Sequence, residues 1–321
     1  MCRPSLRPAH SGLPRWGSPA SAARGPAREF RRNPGDWRQT GRLAARLMKA
    51  GAMDKMNGYL EGQALYGDDM GPAEVEAWFR DEEEGYADMF GENDALGYEY
   101  HALNRYHGYR HIQHRSFKRL LGFGSAYGDE LLPVLDSADA VTIIDPSDAF
   151  ARSMVHGKPV TYVKPKPDGQ LPLPSNGFDL VTCLGVLHHI PNVSAVMREI
   201  GRVLEPGGYM LLREPVVSMG DWRQPRRGLT KRERGIPIHI MRGIIEASGM
   251  DIVCETLCAF PTTHRMFRPL RRDPFNSDFM TRFDAVLSSL FAWNLHYHSK
   301  NPFQRLRPTA GCFVLRKKAS A

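Results

Sequence analysis

Residues 117–145 read FKRLLGFGSAYGDELLPVLDSADAVTIID, and the fold turns on them. An apolar run near 117–121 leads into Gly122, Gly124 and Gly128. A helix is predicted from about Tyr127 to Leu135, and a second apolar run, Val141 to Asp145, ends in a carboxylate. Strand, glycine-rich turn, helix and strand make the opening of a βαβ unit, since glycine lets the chain turn tightly and approach a ligand. Further along, the pattern predicts helix Asp148–Val155, strand Val160–Val163, strand Phe178–Leu184 and helix Val193–Leu204. Strand Tyr209–Arg213, helix Ile238–Ser248, strand Ile252–Ala259 and a last strand Cys312–Arg316 follow. Such alternation predicts an α/β fold, a doubly wound Rossmann-like sheet with helices on both faces.

The composition fits that fold and excludes others. The 321 residues are 42% hydrophobic and 24% charged, an ordinary globular balance. No run approaches the roughly 18 apolar residues of a membrane span. Five scattered cysteines suggest neither a disulfide framework nor a four-ligand zinc site, which fits a reducing cytoplasm.

The net charge of +8 is uneven: 11 basic and 2 acidic residues over 1–52, 2 and 13 over 53–97, 30 and 20 over 98–321. Overall basicity is therefore no sign of a uniform nucleic-acid surface. Residues 1–52 form a basic extension with too little apolar surface to order, and are expected to be disordered. They read as a gene-model extension ahead of Met53 or Met56, with an organelle transit peptide or an anionic-surface arm as alternatives.

Residues 53–115 are expected to form a helical cover, with Leu60, Leu65, Val75, Trp78 and Phe79 among carboxylates; Asp81–Glu84 reads as a solvated helix face. A second, aromatic helix follows Gly97. It carries His107, His111 and His114 on one face, which reads as a lid over a ligand, with zinc binding as the weaker alternative. Tyr98, His101 and Asn104 belong to that lid. Residues 116–321 form the sheet domain, with an insertion over about 260–307 before the last strand. There Phe279, Phe283, Leu287 and Phe291 recur at helical spacing, which favours packing over RNA contact.

Ligands of open parallel sheets sit beyond the carboxyl ends of the strands. At those ends stand the glycine turn and Asp145, which either grips vicinal ribose hydroxyls or caps the next helix. Asp168-Gly169 come next, then Leu184-Gly185-Val186-Leu187-His188-His189, and after the fifth strand Glu214. His188, His189 and Glu214 are candidate catalytic bases on this rim, with a cap or cofactor packing as the other reading of the histidines. Asp179, opening a buried strand, reads as structural. Residues 213–234 hold seven basic residues around Trp222, either a solvated loop or a grip on an anionic acceptor.

Three ordered runs carry a family resemblance: LPLPSNGFDLV at 171–181, VLHHI at 186–190 and LEPGG at 204–208. With them the chain resembles class I S-adenosylmethionine-dependent methyltransferases of type 11, strongly over about 118–216. The resemblance implies S-adenosyl-L-methionine as cofactor. Gly122, Gly124 and Ala126 match the loop around its methionine half, Asp145 the ribose-binding acid, Asp168 and Gly169 the adenine-flanking positions, and Leu184 and Gly185 the backbone lining the methionine moiety. The family's acid two residues before the first glycine is Leu120 here. The implied function is methyl transfer to a small, anionic sugar or metabolite, phosphorylated or nucleotide-linked. An RNA methyltransferase and a non-catalytic binding protein with this fold are the alternatives. No metal is called for.

Overall fold

The computed structural model describes residues 53–89, 98–226, 228–267 and 273–319. Its frame is a seven-stranded sheet of β1 (Arg119–Phe123), β2 (Ala140–Ile144), β3 (Thr161–Val163), β4 (Phe178–Leu184), β5 (Leu204–Pro215), β6 (Met250–Cys258) and β7 (Ala310–Lys317). The spatial order is β3-β2-β1-β4-β5-β7-β6. All strands are parallel except β7, which runs antiparallel to both β5 and β6. Strand order therefore reverses between β1 and β4, where an open parallel sheet leaves its ligand crevice.

Buried residues of period two hold helices on both faces. Leu121, Val181, Leu212 and Leu315 point to one side, where they meet Val196, Met197 and Ile200 of α4 (Val193–Val203) and Met241 and Ile245 of α5 (Ile238–Ala247). Their neighbours Leu120, Leu180, Leu211 and Val314 point to the other side, against Tyr109, Ile112 and Leu131. Each such side chain contributes roughly 1.5–3 kcal/mol relative to exposure, so a strand slipped by one residue would lose both faces at once.

The helical cover comprises α1 (53–60), α2 (Pro72–Met89) and α3 (His101–His107). The aromatic helix is shorter than expected. It stops at Gly108, where an added Cβ would lie 2.9 Å from the Asn104 carbonyl oxygen and 3.3 Å from Leu211, and a 3-10 turn, Tyr109–His111, follows. The insertion carries α6 (Pro261–Phe267) and α7 (Asp278–Leu290).

Two further expectations are corrected. The helix expected over Asp148–Val155 is a single 3-10 turn, Asp148–Phe150, followed by a hairpin pairing Met154–Val155 with Lys158–Pro159. His156 and Gly157 both have positive φ, the conformation of a tight hairpin turn, which breaks the helix. Gly122 lies within β1, paired with Ile143 and Thr182, not in the turn beyond it, and a Cβ there would stand 2.4 Å from Ser125 Oγ. The expected disorder of residues 1–52 falls outside the described residues. Among the described residues no helix is long and apolar enough to cross a membrane.

Candidate active site

At the end of β1 the chain turns through Gly124 (φ +67°) and Ala126 (φ +42°). A Cβ on Gly124 would lie 2.4 Å from Val186, so glycine is required where the β1 and β4 loops touch. Ala126 holds a left-handed conformation that costs an L-residue about 1–2 kcal/mol. The Asp145 carboxylate offsets part of that cost by accepting the Ala126 amide at 3.1 Å and the Ser147 amide at 3.0 Å. Asp145 therefore points into the glycine turn. Burial raises its pKa, and the two amides oppose the rise.

Two cavities meet at this turn. The smaller, about 120 Å³, is walled by Asp145, Ile144, Gly169, Leu171, Val186 and His189. The larger, about 670 Å³, is lined by Tyr98, Tyr100, Glu130, Phe150, Leu184, His188, Arg213, Glu233 and Phe275 among others. Gly124 and Gly185 border both. Gly185 has φ +89°, a backbone that only glycine adopts without strain.

Glu214, fully buried, is the anchor of the β4 loop. One of its carboxylate oxygens accepts the amides of Val186 (2.8 Å) and Leu187 (2.7 Å); the other accepts the His188 amide (3.2 Å) and His188 Nδ1 (2.8 Å). Four donors fill the acceptor capacity of a carboxylate. His188 Nε2 faces Glu233 at 3.5 Å, and Glu233 also accepts the amide and hydroxyl of Thr230. Burial alone would lower the pKa of His188, but the two carboxylates outweigh it and hold the imidazole up at about 9. Glu233 is correspondingly pushed down to about 2 and Glu214 is lowered.

This arrangement favours a positioning role for His188 and Glu214 over the base expected of either. His188 sits between two carboxylates that favour its charged form, and the acceptor positions of Glu214, whose pKa its partners lower, are already taken by four donors. His189 points the other way. Its Nδ1 lies 2.9 Å from Glu82, its carbonyl accepts Trp78 Nε1 at 2.7 Å, and burial lowers its pKa. Asp81–Glu84 is thus not wholly a solvated face: Glu82 is buried, while Asp81 pairs with Arg232 and Lys231.

His188, His189 and Glu233 form the grouping among the described residues whose ligand atoms converge within 4.8 Å. Both nitrogens of His188 already face carboxylates, so its proton fills the place a metal cation would take. Glu130 escaped the sequence reading because it looked like an ordinary acid opening a helix. It is buried beside Ser125, lines the larger cavity, and burial raises its pKa to about 7.

Residues 121–212 match the family model described as Methyltransferase domain. These residues form a methyltransferase domain. The match bears out the resemblance to type 11 methyltransferases of class I. Curated relatives match short stretches of the chain: the ubiquinone biosynthesis O-methyltransferase of Proteus mirabilis is 31% identical over 62 residues, 19% of this chain and 25% of its own. The phthiotriol/phenolphthiotriol dimycocerosates methyltransferase 1 of Mycobacterium ulcerans is 35% identical over 81 residues, 23% of this chain and 29% of its own. The match therefore spans only a quarter to under a third of these relatives. Among solved structures, an S-adenosylmethionine dependent methyltransferase from Mesorhizobium loti is 18% identical with a TM-score of 0.43, covering 63% of this chain and 91% of that one.

Within the methyltransferase domain, Gly124, Ala126, Asp145, Gly169, Leu184 and Gly185 all line one cavity or the other, whereas Gly122 and Asp168 line neither. The Asp168 carboxylate turns back to accept the Gln170 amide at 2.9 Å, and its carbonyl accepts Asn192 Nδ2. Asp179 accepts the amides of Lys118 (2.7 Å) and Arg119 (2.9 Å), the structural role expected of it.

The basic segment that follows β5 is largely spent inside the molecule. Arg223 pairs with Asp221; Arg234, fully buried, donates to the carbonyls of Tyr66, Leu187, His188, Ile190 and Pro191; Trp222 stacks on Tyr66. Among the described cations of 213–234, Arg213 alone lines the larger cavity, stacked 4.0 Å from the Tyr100 ring centroid. The histidines of the cover do not converge either. His107 Nδ1 contacts Thr256 at 2.8 Å, and His111 contacts Cys254.

Proposed function

We propose that this protein transfers a methyl group from S-adenosylmethionine to a small organic acceptor held in the larger cavity. The observation that carries the proposal is Asp145, buried and turned into the glycine loop at the switch point of the sheet. The residues present fit the cofactor. Asp145 would hold the ribose hydroxyls with Gly169, Leu171 and Val196 around the base in the smaller cavity, and Gly124 and Gly185 would let the chain pass into the larger one. Leu120, buried in the sheet, cannot supply the family's acid. Glu130 lies on the larger cavity and offers a carboxylate for the cofactor's ammonium in its place.

When bound, the cofactor supplies an electrophilic methyl carbon, and transfer is a direct displacement. The protein's share is alignment and exclusion of water. His188, Glu214 and Glu233 fix the β4 loop that borders both cavities, so their role is positioning. Tyr98, Tyr100, Phe150 and Phe275 give the acceptor a largely aromatic enclosure. The acceptor is then a molecule with an apolar or aromatic body. Of the cations of 213–234 that the structure describes, only Arg213 is on the cavity wall to support an anionic or phosphorylated sugar. The two curated relatives act, by their names, in ubiquinone biosynthesis and on phthiotriol dimycocerosates.

Calorimetry with S-adenosylhomocysteine tests the cofactor, and mass spectrometry of products after incubation with methyl-labelled S-adenosylmethionine and a cell extract tests the reaction. Binding together with a product one methyl heavier is expected. Absence of binding would return the protein to the non-catalytic reading.

A further inference from the structure

Helix α7 is built inside out. Its buried side is polar: Thr281, Asp284 and Ser288 are all fully buried. Asp284 accepts the amides of Ala259 and Phe260 at 2.8 Å each, so the helix is bolted to the end of β6 by hydrogen bonds. Its apolar side faces outward. Phe279 is 71% exposed, Val286 58% and Leu290 63%, at helical spacing along one stripe. Just beyond the helix Trp293, 68% exposed, lies 6.1 Å from the ring of the exposed Phe303. This corrects the expectation that Phe279 packs inward; of that set, Phe291 does pack, on Phe260.

Exposed apolar side chains scattered singly need no explanation, but a contiguous stripe of this kind marks an interaction surface. The charges around it indicate the partner. Arg282 lies on the exposed side between Phe279 and Val286, and Arg305 is two residues past Phe303; both are exposed, with no ion pair among the described residues. Asp278, at the start of the helix, is neutralised by Arg105. A helix with an apolar outer face and an unpaired arginine on it, followed by an exposed aromatic pair and a second unpaired arginine, has the make-up of an interfacial membrane element.

We infer that the outer face of α7, with Trp293 and Phe303, is a peripheral docking surface for an anionic lipid bilayer. The surface is independent of the methyl-transfer reading, although the insertion that bears it also sends Phe275 to the larger cavity.

The test is co-sedimentation of the full chain with vesicles of phosphatidylcholine, alone or mixed with phosphatidylserine. Binding to the mixed vesicles that weakens with salt is expected. Phe279→Asp combined with Trp293→Ser should lower partitioning about tenfold or more. Arg282→Glu combined with Arg305→Glu should lower it to a similar extent on mixed vesicles. Both pairs change solvent-facing side chains, and unchanged circular dichroism and Tm verify the fold; either pair suffices if the other misfolds. The inference is overturned if the wild-type chain ignores mixed vesicles, if it binds neutral vesicles as well, or if the variants bind like wild type. Lipid-free self-association that Phe279→Asp abolishes would assign the face to a second copy and equally overturn it.

Discussion

The Nδ1 of His188 lies 2.8 Å from the carboxylate of Glu214, and the same carboxylate takes the amides of Val186, Leu187 and His188. One buried acid thus fixes both the charge of the imidazole and the path of the loop after β4. Glu214→Gln keeps the shape but places an NH₂ against a donor. It is expected to lower stability by about 3 kcal/mol, the scale for breaking a buried ion pair, read as a urea midpoint. His188 should then titrate lower, which NMR of its ring protons would show. An unchanged His188 titration would mean that Glu214 only shapes the loop.

The same cluster gives stability a pH window. His188, raised from 6.5 to about 9, contributes stability that is fully present below 6.5 and is lost as pH rises through about 9. Glu233, lowered from 4.5 to about 2, contributes stability present above 4.5 and lost as pH falls through about 2. Both contributions are complete between 4.5 and 6.5. Thermal unfolding of wild type should therefore weaken from neutral pH toward pH 9 more steeply than that of His188→Asn. Parallel profiles would count against a charged His188.

What the sequence made legible were the local signals. Alternating apolar runs gave β4 to the residue, because burial on both faces leaves a run of Phe178, Leu180, Val181 and Cys183 that suits only a central strand. Gly124 and Asp145 were visible because strand ends and glycines mark the crevice, and Gly185 through the family resemblance. What stayed hidden depends on contacts made across the chain. Glu82 meets His189 from 107 residues away and Trp78 reaches the same residue's carbonyl from 111, so a buried acid passed for part of a solvated run. The partners of His188 and Glu214 were hidden for the same reason: a residue type shows capacity for proton transfer, whereas its partners decide how far that capacity is already engaged. Helical spacing in α7 did not show that Phe279 faces outward while Phe283, Leu287 and Phe291 are partly buried.

Glu130 is expected to discriminate between ligands with and without an amino-acid end. Glu130→Gln should weaken S-adenosylhomocysteine by about tenfold, the scale of one charge-assisted hydrogen bond, and leave methylthioadenosine, which lacks that end, unchanged. The pKa of Glu130 is raised to about 7 by burial, so it gains its charge as pH rises through that value. Homocysteine-ligand affinity should accordingly increase from pH 6 to pH 8 in wild type, and the increase should disappear in the Gln variant. Equal losses for both ligands would remove Glu130 from the ammonium site.

Asp145 acts on the cavity in two ways, and two substitutions separate them. Asp145→Asn retains an oxygen to accept the Ala126 or Ser147 amide but loses the charge that strengthens bonds from ribose hydroxyls, so adenosine-containing ligands should weaken about tenfold to a hundredfold with a loss of stability near 1 kcal/mol. Asp145→Ala leaves the Ala126 amide without its acceptor while that residue sits at φ +42°. It should cost about 2–3 kcal/mol by releasing the turn, and affinity should fall further because the glycine loop is no longer held against Val186. Unlike Glu130→Gln, both changes should affect methylthioadenosine and S-adenosylhomocysteine alike, since the two share the ribose. Calorimetry of both ligands on both variants reads this directly. Full affinity in Asp145→Asn would mean that the carboxylate serves the turn alone and that another group grips the sugar.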